Sequence, residues 1–426
     1  MRILHLIQRY YPARGGAEKH LEQISNYLAA EGHEVTVVTT DSLDFELFWD
    51  LKRRRIARLT DTHHGVNILR FPVRHLPASQ LSYPGLRRLL SFMSRAAFVP
   101  VEGMMRVARY TPWVPDLWRW IRETEQIYDL VAGMTIGFEP IMAAGQAYAR
   151  RVKAPFVCYP LTHLGAGSVP GADPISRFYT MRHQISIVLD SDSVIAQTAA
   201  EQRFYKDRGL SKNKTTVIGP GVEPSEVIGG SGKRFLEKYG VKAPLILFVG
   251  YLSRDKGALA TVEATRQLLQ RGYAVELALI GTVSPTFRDH FDKLCQSDKE
   301  RIHLLGPVED SEKKDALAAA SFLSMPSRTD SFGITYLEAW LYGIPVIAAR
   351  SWGVTDVVDD GKDGLVVPFG DIAALTGAMQ TLLDHPDEAR IMGERGREKV
   401  YQNHQWEKKL KELGDIYQEL AAEHSK

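Results

Sequence analysis

Short apolar runs alternate with helical patterns along most of this chain, and that alternation is the feature that most restricts its fold. Residues 3–7 form an apolar run, an amphipathic pattern follows, and Gly32 precedes a second apolar run at 34–39. Such a strand–helix–strand succession is typical of parallel sheets whose strands are buried on both faces. We therefore predict an α/β fold made of doubly wound, Rossmann-like sheets.

The second half of the chain repeats the alternation more clearly. A helical pattern at 258–270 follows the first of its apolar runs, which lie at 245–249, 275–280, 302–305, 322–325 and 345–349. Residues 219–244 are rich in Gly, Pro and Ser, which is typical of a domain boundary. We predict one domain over 1–220 and a second over 221–405. The carboxyl ends of their strands would present ligand-binding loops at a cleft between the domains.

The composition excludes several classes of protein. The 426 residues are 44% hydrophobic and 24% charged, as in an ordinary globular protein, and the net charge of +2 argues against a dedicated nucleic-acid binder. Two cysteines, Cys158 and Cys295, make no disulfide scaffold. No stretch approaches the ~20 apolar residues that a membrane span needs. We expect a cytoplasmic protein, with peripheral contact to the inner face of a membrane left open.

A basic insert at 51–122 interrupts the alternating pattern. It carries fourteen Lys and Arg residues against three acidic ones, a local net charge of +11 in a chain of +2. Within it, residues 86–109 interleave arginines with large apolar side chains, a combination that suits an anionic membrane surface. The alternative is that these helices pack on the sheet and display a solvated basic face.

Segment 326–349 holds the strongest candidates for ligand binding, and in it Asp330 and Glu338 stand eight residues apart. A helix is predicted to begin near Gly333, so the backbone N–H groups of Gly333 and Ile334 would point out of its N-terminus. Such a terminus binds phosphate through fixed dipoles and hydrogen bonds. A nearby carboxylate accepts hydrogen bonds from sugar hydroxyls. Together these features predict a nucleotide-sugar site.

This spacing resembles the E-x7-E signature of retaining GT-B glycosyltransferases of the family 4 type, here in the form D-x7-E. Residues 15–18 resemble the N-terminal glycine loop of that family, 250–257 its GRxxxxKG segment, and 351–367 its glycine-rich donor-side loop. The resemblance covers nearly the whole chain. It implies a GT-B fold with an acceptor-side first domain, a nucleotide-sugar-binding second domain, and a helix at 406–426 that returns to the first.

The resemblance also implies roles for residues of the 330–338 segment. Glu338 would hold the ribose hydroxyls, and Asp330 would hold hydroxyls of the transferred sugar. Gly333 and Ile334 would receive the distal phosphate through their N–H groups, with Phe332 beside them on the donor side. Asp330 stands where the family has glutamate, so its carboxylate reaches one methylene less far.

Other implied roles lie elsewhere in the chain. Gly15 and Gly16 would approach the donor diphosphate, and Lys256 would contact it. His163, in CYPLTHLG after the apolar run 155–159, stands where the family has its active-site histidine.

One position departs from the GRxxxxKG pattern. Tyr251 replaces the arginine expected after Gly250, and Arg254 is the candidate to meet the phosphate charge instead.

The predicted function is transfer of a sugar from a UDP- or GDP-linked donor to a hydroxyl acceptor, with retention at the anomeric carbon. The acceptor is expected to be a membrane-associated or envelope glycan or lipid, as in polysaccharide biosynthesis. No cofactor is predicted, and no metal is needed if the positive groups at the diphosphate suffice. Two alternatives remain: a non-catalytic nucleotide-sugar-binding protein, and a nucleotide-sugar epimerase.

Overall fold

The computed structural model of the chain describes residues 1–424 and divides into two compact units. Unit 1 comprises Met1–Thr162, Pro174–Ile218 and the chain from Glu407 onwards, and unit 2 comprises His163–Asp173 and Gly219–Trp406. No helix within residues 1–424 combines the length and hydropathy that crossing a bilayer requires.

Unit 1 contains an eight-stranded sheet in the order β3-β4-β2-β1-β5-β6-β7-β8. All neighbouring strands are parallel except β3 and β4. Its strands are β1 (Arg2–Leu6), β2 (Glu34–Thr40), β3 (Thr60–His63), β4 (Val66–Phe71), β5 (Leu130–Met134), β6 (Phe156–Tyr159), β7 (Ser193–Ala196) and β8 (Thr215–Val217). Its helices are α1 (Gly16–Ala30), α2 (Ser79–Arg95), α3 (Val101–Ala108), α4 (Pro115–Glu123), α5 (Glu139–Val152), α6 (Arg182–Leu189) and α7 (Ala199–Lys206).

Unit 2 contains a six-stranded, fully parallel sheet in the order β11-β10-β9-β12-β13-β14. Its strands are β9 (Leu245–Val249), β10 (Glu276–Ile280), β11 (Ile302–Gly306), β12 (Phe322–Met325), β13 (Val346–Ala349) and β14 (Gly364–Val367). Its helices are α8 (Pro224–Val227), α9 (Gly232–Tyr239), α10 (Ala258–Gln270), α11 (Pro285–Asp292), α12 (Gln296–Lys299), α13 (Asp310–Ala319), α14 (Ile334–Leu341), α15 (Ile372–Asp384) and α16 (Pro386–Asn403). A final helix, α17 (Trp406–His424), belongs to unit 1 from Glu407 onwards.

The strand order of each sheet reverses at one point. In unit 2 the chain leaves β9 toward β10 on one side and later returns to β12 on the other, so the switch lies between β9 and β12. In unit 1 the corresponding switch lies between β1 and β5. Loops at the carboxyl ends of strands diverge at such a switch and leave a crevice, which is where open α/β sheets bind ligands.

The predicted insert at 51–122 is partly integrated into the sheet. Val66–Phe71 pairs parallel with β2, and Thr60–His63 pairs antiparallel with Val66–Phe71. Arg70 lies on the buried face of β4, where its guanidinium donates to the carbonyl of Tyr11 at 2.6 Å. The prediction that the whole segment interrupts the alternating pattern is therefore wrong for its first third, because a buried arginine hides the strand's apolar alternation.

Residues 163–173 lie with unit 2, although the predicted first domain extends to residue 220. Hydrogen bonds explain the difference: Trp352 donates its backbone N–H to Gly165 O at 3.0 Å and its indole N–H to Gly167 O at 2.9 Å. Contacts of this kind, between residues far apart in sequence, leave no mark on local composition.

Helix α17 is attached to unit 1 through buried polar groups. Tyr159 donates its hydroxyl to Tyr417 at 3.0 Å, and Tyr417 in turn lies 3.3 Å from Nε2 of His5 on β1. His5 also shares a hydrogen bond with Ser25 of α1 at 2.8 Å. Burial lowers the pKa of His5 to about 3, so the imidazole is neutral in the folded protein at neutral pH.

We expect the protein to lose stability as the pH falls below 6.5, in part through His5. The unfolded chain binds a proton there while the folded chain does not, so the free energy of unfolding drops by about 1.4 kcal/mol per pH unit for this group. Urea unfolding at pH 7 and pH 5 checks this. The loss should be about 2 kcal/mol smaller in His5→Asn than in the parent. An equal loss in both proteins would contradict the assignment.

Candidate functional site

The loops that follow β9 and β12 lie side by side at the switch point of unit 2. Arg328 donates its backbone N–H to Asp255 O at 3.0 Å, and its guanidinium donates to Asp255 Oδ1 at 2.6 Å. Gly257 has φ +84, and a Cβ there would lie 2.4 Å from the carbonyl oxygen of Pro326. A glycine at this position lets the two backbones approach, which explains the glycine of the GYLSRDKG segment.

Across this junction Lys256 and Asp330 form an ion pair. The Lys256 ammonium donates to Asp330 Oδ1 at 2.5 Å, and the two side chains are only 25% and 16% exposed. Burial acts to raise the pKa of Asp330, but the charge and the hydrogen bond of Lys256 outweigh it and hold that pKa below its ordinary value. Asp330 is therefore a carboxylate at neutral pH, next to a cation that is partly open to solvent.

His163 belongs to the same cluster. Burial and the charge of Lys256 lower its pKa to about 4, while Asp330 acts in the opposite direction. The imidazole is consequently neutral at pH 7, and it can donate or accept a hydrogen bond without adding a positive charge to the site. The structure thus brings together three of the predicted site residues, His163, Lys256 and Asp330.

The glycine-rich segment 351–367 joins the remaining loops of the site. A Cβ at Gly353 would lie 2.3 Å from the carbonyl oxygen of Ser331, the residue after Asp330. Its neighbour Trp352 holds the loop that follows His163 through the two hydrogen bonds described above. Trp352 was not among the predicted site residues, and its place within the glycine-rich segment was the only signal for it.

Helix α14 begins at the predicted place. Gly333 precedes it with φ +92, and a Cβ there would lie 2.3 Å from the ring of Tyr336, so both conformation and space favour glycine. The first N–H groups of a helix have no partner within the helix and are available to an anion. The Phe332 side chain, in contrast, is buried and contacts the ring of His404, so Phe332 can offer a ligand only its backbone.

Glu338 lies inside α14, but its ion-pair partner, Lys313, is outside the predicted set. Lys313 of α13 donates to Glu338 Oε1 at 2.8 Å, and the glutamate side chain is 15% exposed. Nothing in the sequence singled out Lys313, an ordinary helical lysine in a charged run. Arg254 is an exposed residue of the loop after β9, and Tyr251 is 41% exposed in the same loop.

Gly15 and Gly16 lie in unit 1, where the loop after β1 leads into α1. A Cβ at Gly15 would lie 2.2 Å from Glu18 Oε2, and Glu18 forms a buried ion pair with Arg9 at 2.8 Å. The absence of a side chain at Gly15 therefore has a local structural reason. Gly16 has open space around its missing Cβ, and its contact with a donor stays a prediction.

Within residues 1–424, no group of three or more His, Cys, Asp or Glu side chains is placed to hold a metal ion. The cation nearest to the carboxylate of Asp330 is instead the ammonium of Lys256.

The chain thus has two α/β units built on mainly parallel sheets, with a candidate ligand site at the switch point of the second. This is the architecture of the GT-B glycosyltransferases. A family model described as "Glycosyltransferase Family 4" matches residues 14–226, half of the chain, and one described as "Glycosyl transferases group 1" matches residues 243–385. The chain belongs to glycosyltransferase family 4. The family and fold class predicted from the sequence are confirmed.

Individual proteins add detail to this assignment. The D-inositol 3-phosphate glycosyltransferase of Nocardia farcinica is 28% identical over 240 residues, which cover 54% of this chain and 52% of that protein. The match thus spans about half the length of this relative.

Solved structures match over almost the entire chain. Sucrose-phosphate synthase from Thermosynechococcus elongatus superposes with a TM-score of 0.74 at 21% identity, covering 99% of both chains. Anabaena HepE in complex with UDP-glucose has a TM-score of 0.69 at 18% identity, covering 98% of this chain and all of that one. At these identities the similarity establishes the fold.

Proposed function

We propose that this protein is a glycosyltransferase that moves a sugar from a nucleoside-diphosphate donor to a hydroxyl acceptor. The observation that carries the proposal is the Lys256–Asp330 pair at the switch point of unit 2, with His163 beside it. A cation for phosphate and a carboxylate for sugar hydroxyls meet there, in the crevice where this class of sheet binds ligands. Membership of glycosyltransferase family 4, with the match of the second unit to the group 1 model, supports the same reaction.

The donor would bind with its diphosphate between Lys256 and the N-terminus of α14. Lys256 supplies a point charge, and the N–H groups of Gly333 and Ile334 supply fixed dipoles. Glu338 would accept hydrogen bonds from the ribose hydroxyls, and its ion pair with Lys313 fixes the direction of its carboxylate. Arg254 is exposed in the same loop as Lys256 and is a further candidate for the phosphate charge.

The chemistry follows from the charges that develop as the glycosidic bond breaks. The diphosphate departs with growing negative charge, and preorganised positive groups aimed at it lower the barrier most. The sugar becomes oxocarbenium-like, and the carboxylate of Asp330 would hold its hydroxyls and favour its positive charge. Neutral His163 would add a hydrogen bond near the reacting carbon without repelling that charge.

We infer retention at the anomeric carbon from the family resemblance. No residue of the site is singled out as a covalent nucleophile, so acceptor attack on the face that the diphosphate leaves is the favoured course. Mass spectrometry of the protein quenched during turnover tests this. A glycosyl group attached to the enzyme would overturn the same-face mechanism.

The acceptor is proposed to bind at the switch point of unit 1. Thr135, just after β5, has φ +77, a strained conformation for a β-branched residue, and its hydroxyl donates to the Gln8 side chain after β1. Phe45 is 40% exposed, and its ring contacts that of Phe138. An exposed aromatic ring beside hydroxyl and amide groups suits a sugar, which has an apolar ring face and a polar rim.

The acceptor class is proposed to be a membrane-associated or envelope glycan or lipid, and the protein a peripheral enzyme on the cytoplasmic side. The basic character of 51–122 supports this part of the proposal. The donor base is proposed to be uridine or guanosine. The structural similarity to HepE in complex with UDP-glucose makes UDP-glucose the first donor to test.

The experiment is a turnover assay with UDP- and GDP-sugars and a lipid extract containing polyisoprenyl and sugar-lipid acceptors. We expect release of nucleoside diphosphate that depends on the acceptor, with labelled sugar appearing in the lipid fraction. Consumption of the donor without any acceptor, with a new sugar as product, would favour the epimerase. Donor binding without turnover under any condition would favour the non-catalytic alternative.

A further inference from the structure

We propose that the outward face of α2, together with the turn that follows it, docks on an anionic lipid bilayer. Three large apolar residues lie on that face at helical spacing: Leu81 is 78% exposed, Leu89 is 45% exposed and Phe92 is 70% exposed. Phe98, in the turn between α2 and α3, is 88% exposed. We call these four residues, with the arginines named next, the α2 face.

The α2 face is also basic. Arg88 and Arg95 lie on α2 among the exposed apolar residues, and Arg106 is exposed on α3. Helix α2 contains no acidic residue. Across residues 1–424, no carboxylate lies within ion-pair distance of these three arginines, whereas other arginines of the basic insert, such as Arg55 and Arg58, pair with acidic residues. An exposed carboxylate, Glu102, lies one turn before Arg106 on α3, so the positive charge of the face comes mainly from Arg88 and Arg95. Exposed aromatic residues set among arginines are typical of surfaces that bind anionic membranes.

The opposite side of α2 packs into the interior of unit 1, and this packing holds the α2 face in one orientation. Arg87 forms a buried ion pair with Glu139 of α5 at 2.5 Å. Leu90 is buried in a cluster with Met104, Ala108 and Met181. The helix therefore cannot turn its exposed apolar residues inward.

Arg182, at the start of α6, binds the carbonyl groups of the turn that carries Phe98. Its guanidinium donates to Ser94 O at 2.9 Å, Ala96 O at 2.7 Å and Val99 O at 2.8 Å. These are the carbonyls at and beyond the C-terminus of α2, where a cation is most favourable. A turn ordered by this many hydrogen bonds presents Phe98 to solvent as a fixed projection.

The positive charge of the α2 face favours an anionic bilayer over a second copy of the chain as its binding partner. A symmetric dimer through this face would place Arg88 and Arg95 close to their own equivalents, and like charges would oppose the contact. An anionic headgroup layer neutralises the arginines while the rings of Phe92 and Phe98 enter the acyl boundary. The inference deepens the proposed function and rests on it for the identity of the acceptor. Lipid binding itself is measurable without donor or turnover.

Vesicle flotation of the full-length protein tests the proposal. The vesicles contain phosphatidylcholine alone or with 30% phosphatidylglycerol, at low salt and at 0.5 M NaCl. We expect at least tenfold tighter binding to the anionic vesicles at low salt, weakened by added salt. In Phe92→Ser/Phe98→Ser, binding should fall at least tenfold, and in Arg88→Gln/Arg95→Gln the preference for anionic lipid should disappear.

Ile391→Ser is the matched control, because Ile391 is 45% exposed on α16 in unit 2. It should bind vesicles as the parent does. Thermal unfolding of each variant verifies that it is folded. No binding of the parent at low salt, or unchanged binding of the phenylalanine variant, would overturn the proposal. A dimer that the same variant dissociates, without lipid binding, would assign the face to a second copy instead.

Discussion

Replacing Lys256 with methionine is expected to lower kcat by about 10²–10³-fold, the effect typical of removing one preorganised group from a developing negative charge. Lys256 pairs with Asp330 at 2.5 Å and is partly exposed at the switch point of unit 2, where the diphosphate would depart. The dissociation constant of the donor should change less than kcat, because the charge on the leaving group grows only as the bond breaks. Steady-state kinetics and donor titration measure the two quantities.

Lys293→Met is the control for the Lys256 variant. Lys293 is an exposed lysine at the end of α11 in the same unit, so its loss removes the same charge without touching the site. Its kinetics should match those of the parent protein. If Lys256→Met retained kcat within about threefold, the leaving-group role of Lys256 would be wrong, since a positioned cation contributes far more than that.

Replacing Arg87 with methionine is expected to destabilise the protein by about 3–5 kcal/mol, because it leaves the buried Glu139 carboxylate without its cation. Glu139 is fully buried, and Nε2 of His183 lies 2.7 Å from its Oε1. Burial acts to raise the pKa of Glu139, but Arg87 and then His183 outweigh it and the pKa is lowered. Urea unfolding at pH 7 measures the change.

Arg88 offers a control at the next position. It is exposed on the α2 face, so Arg88→Met should change the free energy of unfolding by no more than about 0.5 kcal/mol. Arg87→Met removes an ion pair that attaches α2 to the interior of unit 1, whereas Arg88→Met changes only the exposed side of the helix. Equal stability of both variants would contradict the account of how α2 is held.

The sheet of unit 2 was predictable because its buried parallel strands appear as short, mostly apolar runs. The runs at 245–249 and 322–325 and the helical pattern at 258–270 coincide with β9, β12 and α10. The start of α14 after Gly333 was equally clear, since a glycine followed by a helical pattern is a local signal. In unit 1, β4 was missed because Arg70 occupies a position that an apolar residue normally holds.

The site was predicted as a set of residues but not as a set of contacts. The ion pair of Lys256 with Asp330 joins positions 74 apart, and that of Lys313 with Glu338 joins positions 25 apart. Such pairs depend on which strands are neighbours in the sheet, and local patterns do not encode strand order. The same reason explains why residues 163–173 were assigned to the first domain although Trp352 holds them in unit 2.

The central claim, that unit 2 binds a nucleotide sugar at the Asp330–Glu338 segment, is tested most directly by thermal shift. The purified protein is measured against a panel of UDP- and GDP-sugars and free nucleoside diphosphates, alongside Glu338→Ala. A donor at 100-fold over its dissociation constant should add about 2.7 kcal/mol of stability. The account predicts a clear shift with one donor that the variant loses. A shift of equal size in the variant, or none with any donor, would contradict it.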